Sequence, residues 1–195
     1  MTRAVFRQQI DEGILDQAAA LFARRGFAKT SVQDVADAVG LSKAGLLHHF
    51  PSKDALHRAV LAQATGLGQR VLDQVAGLPV GPARDRRALE VLVDIALAHP
   101  GLVALLLSPV LRTEAGGTEV DHAGALALRA FDVDPDGPVS ERSVRVVGAL
   151  GALAVLSLAA HQQDRTAEWR PHVLAACYDA LGHRAATARP DQVEA

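Results

Sequence analysis

Residues 30–53 read TSVQDVADAVGLSKAGLLHHFPSK. Val32, Val35, Ala36 and Val39 recur at i, i+3, i+4 and i+7, the apolar stripe of one short helix. Thr30 stands where it can cap that helix, with Gln33 at the offset that completes a capping box. Gly40 suits the left-handed residue after the helix, and Leu41 can fold back onto Val35 and Ala36. Ser42 then caps a second helix, which closes at Phe50 and Pro51. Leu46 and Phe50, one turn apart, face inward and leave Lys43, Ala44, Leu47 and His48 on the opposite side. Two short helices around a tight glycine turn are the arrangement that lays a helix in a DNA major groove.

The flanks support this reading. The spacing predicts a helix over 2–25 with Ile10, Ile14, Ala18, Leu21 and Phe22 on one face, stopped by Gly26, with Phe27 closing over Phe22. Ser52 caps a helix over 53–75 that turns Leu56, Val60, Leu67 and Val71 inward. The segment 14–60, ILDQAAALFARRGFAKTSVQDVADAVGLSKAGLLHHFPSKDALHRAV, resembles the TetR family of one-component transcriptional regulators in the order and spacing of four linked segments. The resemblance covers roughly a quarter of the chain. It implies a three-helix DNA-binding domain over 1–52, a helical effector-binding and dimerisation domain over 53–188, and a short polar tail over 189–195. It also implies a homodimer on a near-palindromic operator, a repressor released by a small hydrophobic molecule. An activator, or a regulator controlled by a protein partner without a small-molecule effector, remains the alternative.

The DNA side would be carried by Thr30, Gln33, Ser42, Lys43, Ala44, Gly45, Leu47, His48 and Lys53. Lys43 opens the second helix, where a cation reaches phosphate or the O6/N7 edge of guanine; otherwise it is a solvated surface lysine. Gln33 either pairs with an adenine edge or completes the cap. His48 meets a phosphate, and Lys53 joins the first N–H groups of its own helix in holding another. Thr30 is primarily a cap whose hydroxyl also meets the backbone. Gly45 stands where the family often has Thr or Ser, and Leu47 where it often has a phosphate-binding Tyr. Those side-chain contacts are missing, and Ala44 and Leu47 can pack instead on thymine methyl groups. His49 reads as a structural residue between the helix and its neighbours.

Composition limits the remaining classes. The 195 residues are 49% hydrophobic and only 4% aromatic, so the core is Ala, Val and Leu. These favour helix, and no sustained period-2 run competes, which predicts an all-α fold of about nine helices. The net charge is −2; residues 1–58 carry eight Lys/Arg against six Asp/Glu, and the rest twelve against sixteen. DNA binding would therefore use a local patch rather than a global field. The single Cys177 excludes an internal disulfide and a cysteine-based zinc site. No HExxH or His-x3-His pair, glycine-rich phosphate loop or nucleophile elbow occurs, so neither a metal, a cofactor nor an enzyme is expected. His99, His122, His161, His172 and His183 lie mostly near expected helix ends and call for no special role. The polar start of the chain points to the cytoplasm.

Beyond 78–83, LPVGPA, helices are expected over 84–98, 101–112, 120–131, 139–162 and 167–185. The helix over 139–162 is apolar around nearly its whole circumference, so it must be covered on more than one side. Its uncharged run over 146–160 is fifteen residues, short of the ~20 of a membrane span. Val144, Gly148, Gly151 and Val155 form a stripe open to close helix approach, matched by Trp169, Val173, Ala176 and Ala180. By the resemblance, these two helices build the dimer interface. By the same resemblance the effector pocket is lined by Leu102, Leu106, Ser108, His122, Leu126, Leu150, Leu153 and Ser157, which suits a lipid-like or aromatic molecule.

Overall fold

The computed structural model describes residues 2–112 and 118–183, with side chains over 7–108 and 122–183. Among them are nine helices and no strand: α1 (Thr2–Arg25), α2 (Val32–Ala38), α3 (Lys43–His49), α4 (Lys53–Val75), α5 (Pro82–Ala98), α6 (Pro100–Arg112), α7 (Thr118–Ala130), α8 (Glu141–Gln162) and α9 (Thr166–Ala180). The all-α expectation holds. The tail expected over 189–195 lies outside the described residues, as do the side chains of 109–121 in the expected helices over 101–112 and 120–131.

Most boundaries fall within two residues of those read from the sequence, and three of the differences have identifiable reasons. Helix α5 starts at Pro82 rather than residue 84, because proline at the first helical position loses no intrahelical bond. Helix α8 starts at Glu141 rather than 139, where Ser140 and Ser143 form a reciprocal capping box. Helix α9 stops at Ala180 rather than 185. Gly182, at φ +92°, donates to the Asp179 carbonyl and His183 donates to that of Tyr178, the bond pair of a Schellman motif.

Two hydrophobic cores hold the nine helices. The first joins Ile14, Ala18, Leu21 and Phe22 of α1 to Val35, Ala36 and Leu46 of the helix-turn-helix and to Leu56, Val60, Ala64 and Leu67 of α4. Leu102 and Leu105 of α6 and Ala123 of α7 complete it. The expected division at residue 52 therefore does not coincide with a gap in the core. The second core collects Val71 and Val75 of α4, Leu89 and Val93 of α5, Phe131, and Val146, Ala149 and Leu153 of α8, with Val173, Cys177 and Leu181 from the end of the chain. Each fully buried Val, Leu or Phe contributes about 1.5–3 kcal/mol relative to exposure, so the aliphatic bulk offsets the shortage of aromatics.

Polar ties fix how the layers meet. Asp85 in the first turn of α5 is fully buried and accepts both arms of the Arg142 guanidinium, at 2.7 and 2.6 Å. Arg142 also donates to the Phe131 carbonyl at 3.0 Å, and His183 Nε2 lies 2.6 Å from the same carboxylate. His183 is thus no idle helix-end histidine; it pins the chain beyond α9 to α5. Arg84 bonds the carbonyls of Val75, Leu78 and Ala130, closing the ends of α4 and α7.

Cys177 lies fully buried on α9, and burial pushes its thiol up to about 11. Only a trace of thiolate exists near pH 8, and that sulfur is covered. Alkylation by iodoacetamide at pH 8 should therefore be negligible in the native protein and complete after unfolding in urea, as read by mass spectrometry.

Candidate nucleic-acid interface

The turn between α2 and α3 is built as its residues dictate. Gly40 sits at φ +70°, its N–H bonded to the Asp37 carbonyl, and the Leu41 N–H returns to the Ala36 carbonyl at 2.9 Å. This is again a Schellman motif, and it folds Leu41 against the first core. Ser42 Oγ then accepts the Gly45 N–H at 3.0 Å and starts α3. Leu46 is buried beneath, while Lys43, Ala44 and His48 are exposed and Gly45 and Leu47 half-buried. The face expected to read DNA is therefore open along α3.

Three members of the expected set need correction. Thr30 does not cap α2. It is 1% exposed, and its hydroxyl donates back to the Gly26 carbonyl at 2.9 Å, so it cannot offer that group to DNA. Ser31 is the cap and Asp34 completes the box: Asp34 N–H donates to Ser31 Oγ, and Ser31 N–H donates to Asp34 Oδ2 at 2.8 Å. Hydrogen bonds from Ser31, joined by Arg25 at 2.9 Å, hold the Asp34 carboxyl below the usual carboxylate range. Gln33 is accordingly free of capping; it is exposed and donates to Asp37. Lys53 is also engaged elsewhere. Its ammonium donates to the Phe27 carbonyl at 3.1 Å and lies 4.3 Å over the Phe27 ring, clamping the start of α4 to the end of α1.

His49 takes the structural place expected of it, with Nδ1 2.6 Å from Asp11 Oδ1 on α1. The partner, 38 positions away, carries no local signal in the sequence. The same is true of Asp16, which accepts the N–H groups of Gly101 and Leu102 at the start of α6, at 3.1 and 3.0 Å.

On α8 the expected stripe splits cleanly from the core. Val146, Ala149, Leu153, Ser157 and Ala160 are buried, whereas Val144 and Val155 are 60% and 58% exposed and Val147 and Gly148 are exposed beside them. On α9, Ala176 is exposed and Trp169 and Ala180 half-buried, but Val173 is buried in the second core and is removed from the interface set. By length and composition α8 would pass as a membrane span, a test the fifteen-residue count had it fail. Its inner face is committed to the bundle, with Arg142 paired to Asp85.

The expected pocket residues do not converge. Leu102 belongs to the first core and Leu153 to the second; Leu106 and His122 are exposed. The hydroxyls of Ser108 and Ser157 are spent on carbonyls of their own helices, Leu105 and Ala154. Leu126 packs against Gly68 of α4. Two open grooves among the described residues lie elsewhere: one of about 260 Å³ between α4 and α5, lined by Arg70, Val91, Ile95 and His99, and one of about 280 Å³ where Val133 and Val139 meet Val144 and Val147. No group of three or more His, Cys, Asp or Glu suited to a metal ion occurs among the described residues.

The profile of the bacterial regulatory proteins of the tetR family matches residues 14–60. An uncharacterized HTH-type transcriptional regulator of Mycobacterium tuberculosis is 32% identical over 141 residues, 69% of this chain and 68% of that protein. The HTH-type transcriptional repressor KstR2 of Rhodococcus jostii is 48% identical over 48 residues, 25% of this chain and 24% of its own length. The chain thus spans about a quarter of the length of that repressor. Among solved structures, the fatty acid degradation regulator FadR from Bacillus halodurans shares the fold at a TM-score of 0.50 and 14% identity, covering 90% of this chain and 97% of that one. The chain belongs to the TetR family of transcriptional regulators, a family of helix-turn-helix DNA-binding proteins that are not enzymes.

Proposed function

We propose that the protein acts in the cytoplasm as a homodimeric repressor, reading a near-palindromic operator with two copies of α3 and released by a small hydrophobic molecule. The observation that carries this reading is the outer face of α8. Val144, Val147, Gly148, Gly151 and Val155 leave an uncharged ridge with two glycines at its centre, opposite the core face. Such a ridge on a folded chain is an interaction surface, and two-fold pairing is the commonest way to cover one. Pairing through α8 and the exposed side of α9 would offer two recognition helices about 34 Å apart, one turn of DNA. The sign of regulation is supported by KstR2, a repressor that is 48% identical to this chain over 48 residues. The Leu-, Val- and Ala-rich stretches 95–112, 122–131 and 147–158 favour an apolar effector.

Selection from a library of random duplexes at two salt concentrations, alongside sedimentation of the free protein, tests the reading. A dimer that enriches half-sites one turn apart is the expected result. A monomer, or binding that is sequence-blind and vanishes at the higher salt, overturns it. The enriched duplex then serves as probe for release by medium-chain fatty acids and aromatic acids. Leu47→Tyr should tighten that duplex about 2- to 10-fold in fluorescence anisotropy at fixed salt, the value of about one net hydrogen bond to phosphate.

A further inference from the structure

We propose that Asp11 and Asp16, two carboxylates on α1 that touch no expected DNA contact, position the recognition helix α3 and join it to α6. The inference rests on α3 being the helix that reads DNA. Helix α3 is short, seven residues, and Leu46 is its one fully buried side chain. The turn from α2 and Phe50 hold its two ends. Rotation about Leu46 is opposed on the α1 side, among the described residues, by a polar tie from His49 in the last turn of α3 to Asp11. That tie is partly shielded, with side-chain exposures of 18% and 34%.

Five residues along α1, Asp16 accepts both N–H groups that open α6. At 3.6 residues per turn the two carboxylates point about 140° apart. Helix α1 therefore presents one to the reader and one to the back half, with the buried Leu15 and Ala19 on the arc between them. The α6 joint is rigid. Gly101 approaches α1 so closely that a Cβ there would lie 1.9 Å from the Asp16 carbonyl oxygen. A displacement of the start of α6 must carry α1 with it, and α1 carries the anchor of His49. This route runs beside the continuous helix α4 and is separate from it.

The sign of the effect distinguishes positioning from charge. Removing either carboxylate makes the DNA-binding end more basic, which by electrostatics alone tightens every duplex. Positioning demands the opposite for a specific site. The experiment compares full-length wild type, Asp11→Ala, Asp16→Ala and the double variant, with Leu153→Ala in the second core as a destabilised control. Asp11→Asn and Asp16→Asn serve where an alanine variant does not fold. Amide exchange over 43–50 is read by mass spectrometry. Binding is read on the duplex recovered by selection and on a random duplex of equal length.

We expect each single variant to speed α3 exchange about tenfold and to weaken the selected duplex about tenfold, the scale of a lost charged hydrogen bond. The random duplex should bind at least as tightly as before, and the double variant should resemble either single one, since both act on one path. Leu153→Ala should leave α3 exchange at the wild-type rate. The proposal is overturned if Asp16→Ala loosens only the start of α6 and leaves α3 exchange unchanged, or if Asp11→Ala tightens both duplexes alike. The exchange arm needs no operator, so its outcome stands apart from that of the operator reading.

Discussion

Arg142→Ala should cost about 3–5 kcal/mol of folding stability, measured by urea unfolding at neutral pH. The reason is what it leaves behind. Asp85 is fully buried, and both of its oxygens accept from Arg142. Without the guanidinium the carboxylate keeps only His183, and the Phe131 carbonyl loses its donor. Replacing both partners by apolar residues of similar size, Asp85→Leu with Arg142→Met, should recover most of the loss, because no buried carboxylate is then left without its guanidinium. The pair also predicts a pH dependence. Burial pushes the Asp85 carboxyl up, but hydrogen bonds and charge from Arg142 and His183 outweigh it, so the folded value lies below the ordinary one. A depressed carboxyl stabilises the fold fully above its unfolded value of about 3.9, and that contribution fades as pH falls toward the folded value. Wild type should therefore lose stability more steeply than the apolar double variant below about pH 4.

Val155→Glu should break the dimer and weaken operator binding by about 10²- to 10⁴-fold, the gain that tethering two half-site readers supplies. Position 155 lies on the exposed ridge of α8, away from the buried face of Leu153 and Ser157. Two-fold pairing would bring two new carboxylates into one apolar interface, an uncompensated burial of charge. The isolated protomer should unfold with nearly unchanged stability, since an exposed substitution costs it little. Sedimentation reads the dimer, anisotropy on the selected duplex reads the affinity, and circular dichroism checks the fold. Retention of a tight dimer would move the interface off α8.

The helix-turn-helix was legible because its chemistry is local. A period-3.6 stripe, a left-handed glycine and a hydroxyl cap all lie within two dozen residues, and each constrains the next. One difference there lies between neighbouring hydroxyls. Thr30 and Ser31 both satisfy the pattern of a cap, and the turn after α1, which brings the Gly26 carbonyl four residues back onto the Thr30 hydroxyl, turns Thr30 inward. The end of α9 at Ala180 departs from the periodic reading because Ala and Leu on either side of Gly182 continue the helical pattern. The expected pocket set spans both cores for a different reason. Leu and Val positions are interchangeable in a periodic reading, so nothing distinguishes residues of one core from residues of the other. The long-range ties were beyond reach for any local rule: Asp16 and Gly101 stand 85 positions apart, and Asp85 and His183 stand 98 apart.

The continuity of the first core across residue 52 bears on how such a chain can be recombined. A DNA reader that was a self-contained cassette could be spliced in front of any sensor at the start of α4. Here Leu102, Leu105 and Ala123 supply part of the wall against which α1 and α4 pack. A chimera cut at residue 52 would strip those side chains from the reader and expose the faces they cover. A functional transplant has to carry the matching surface of α6 and α7 with it, so the heritable unit of DNA recognition is larger than the segment that touches DNA.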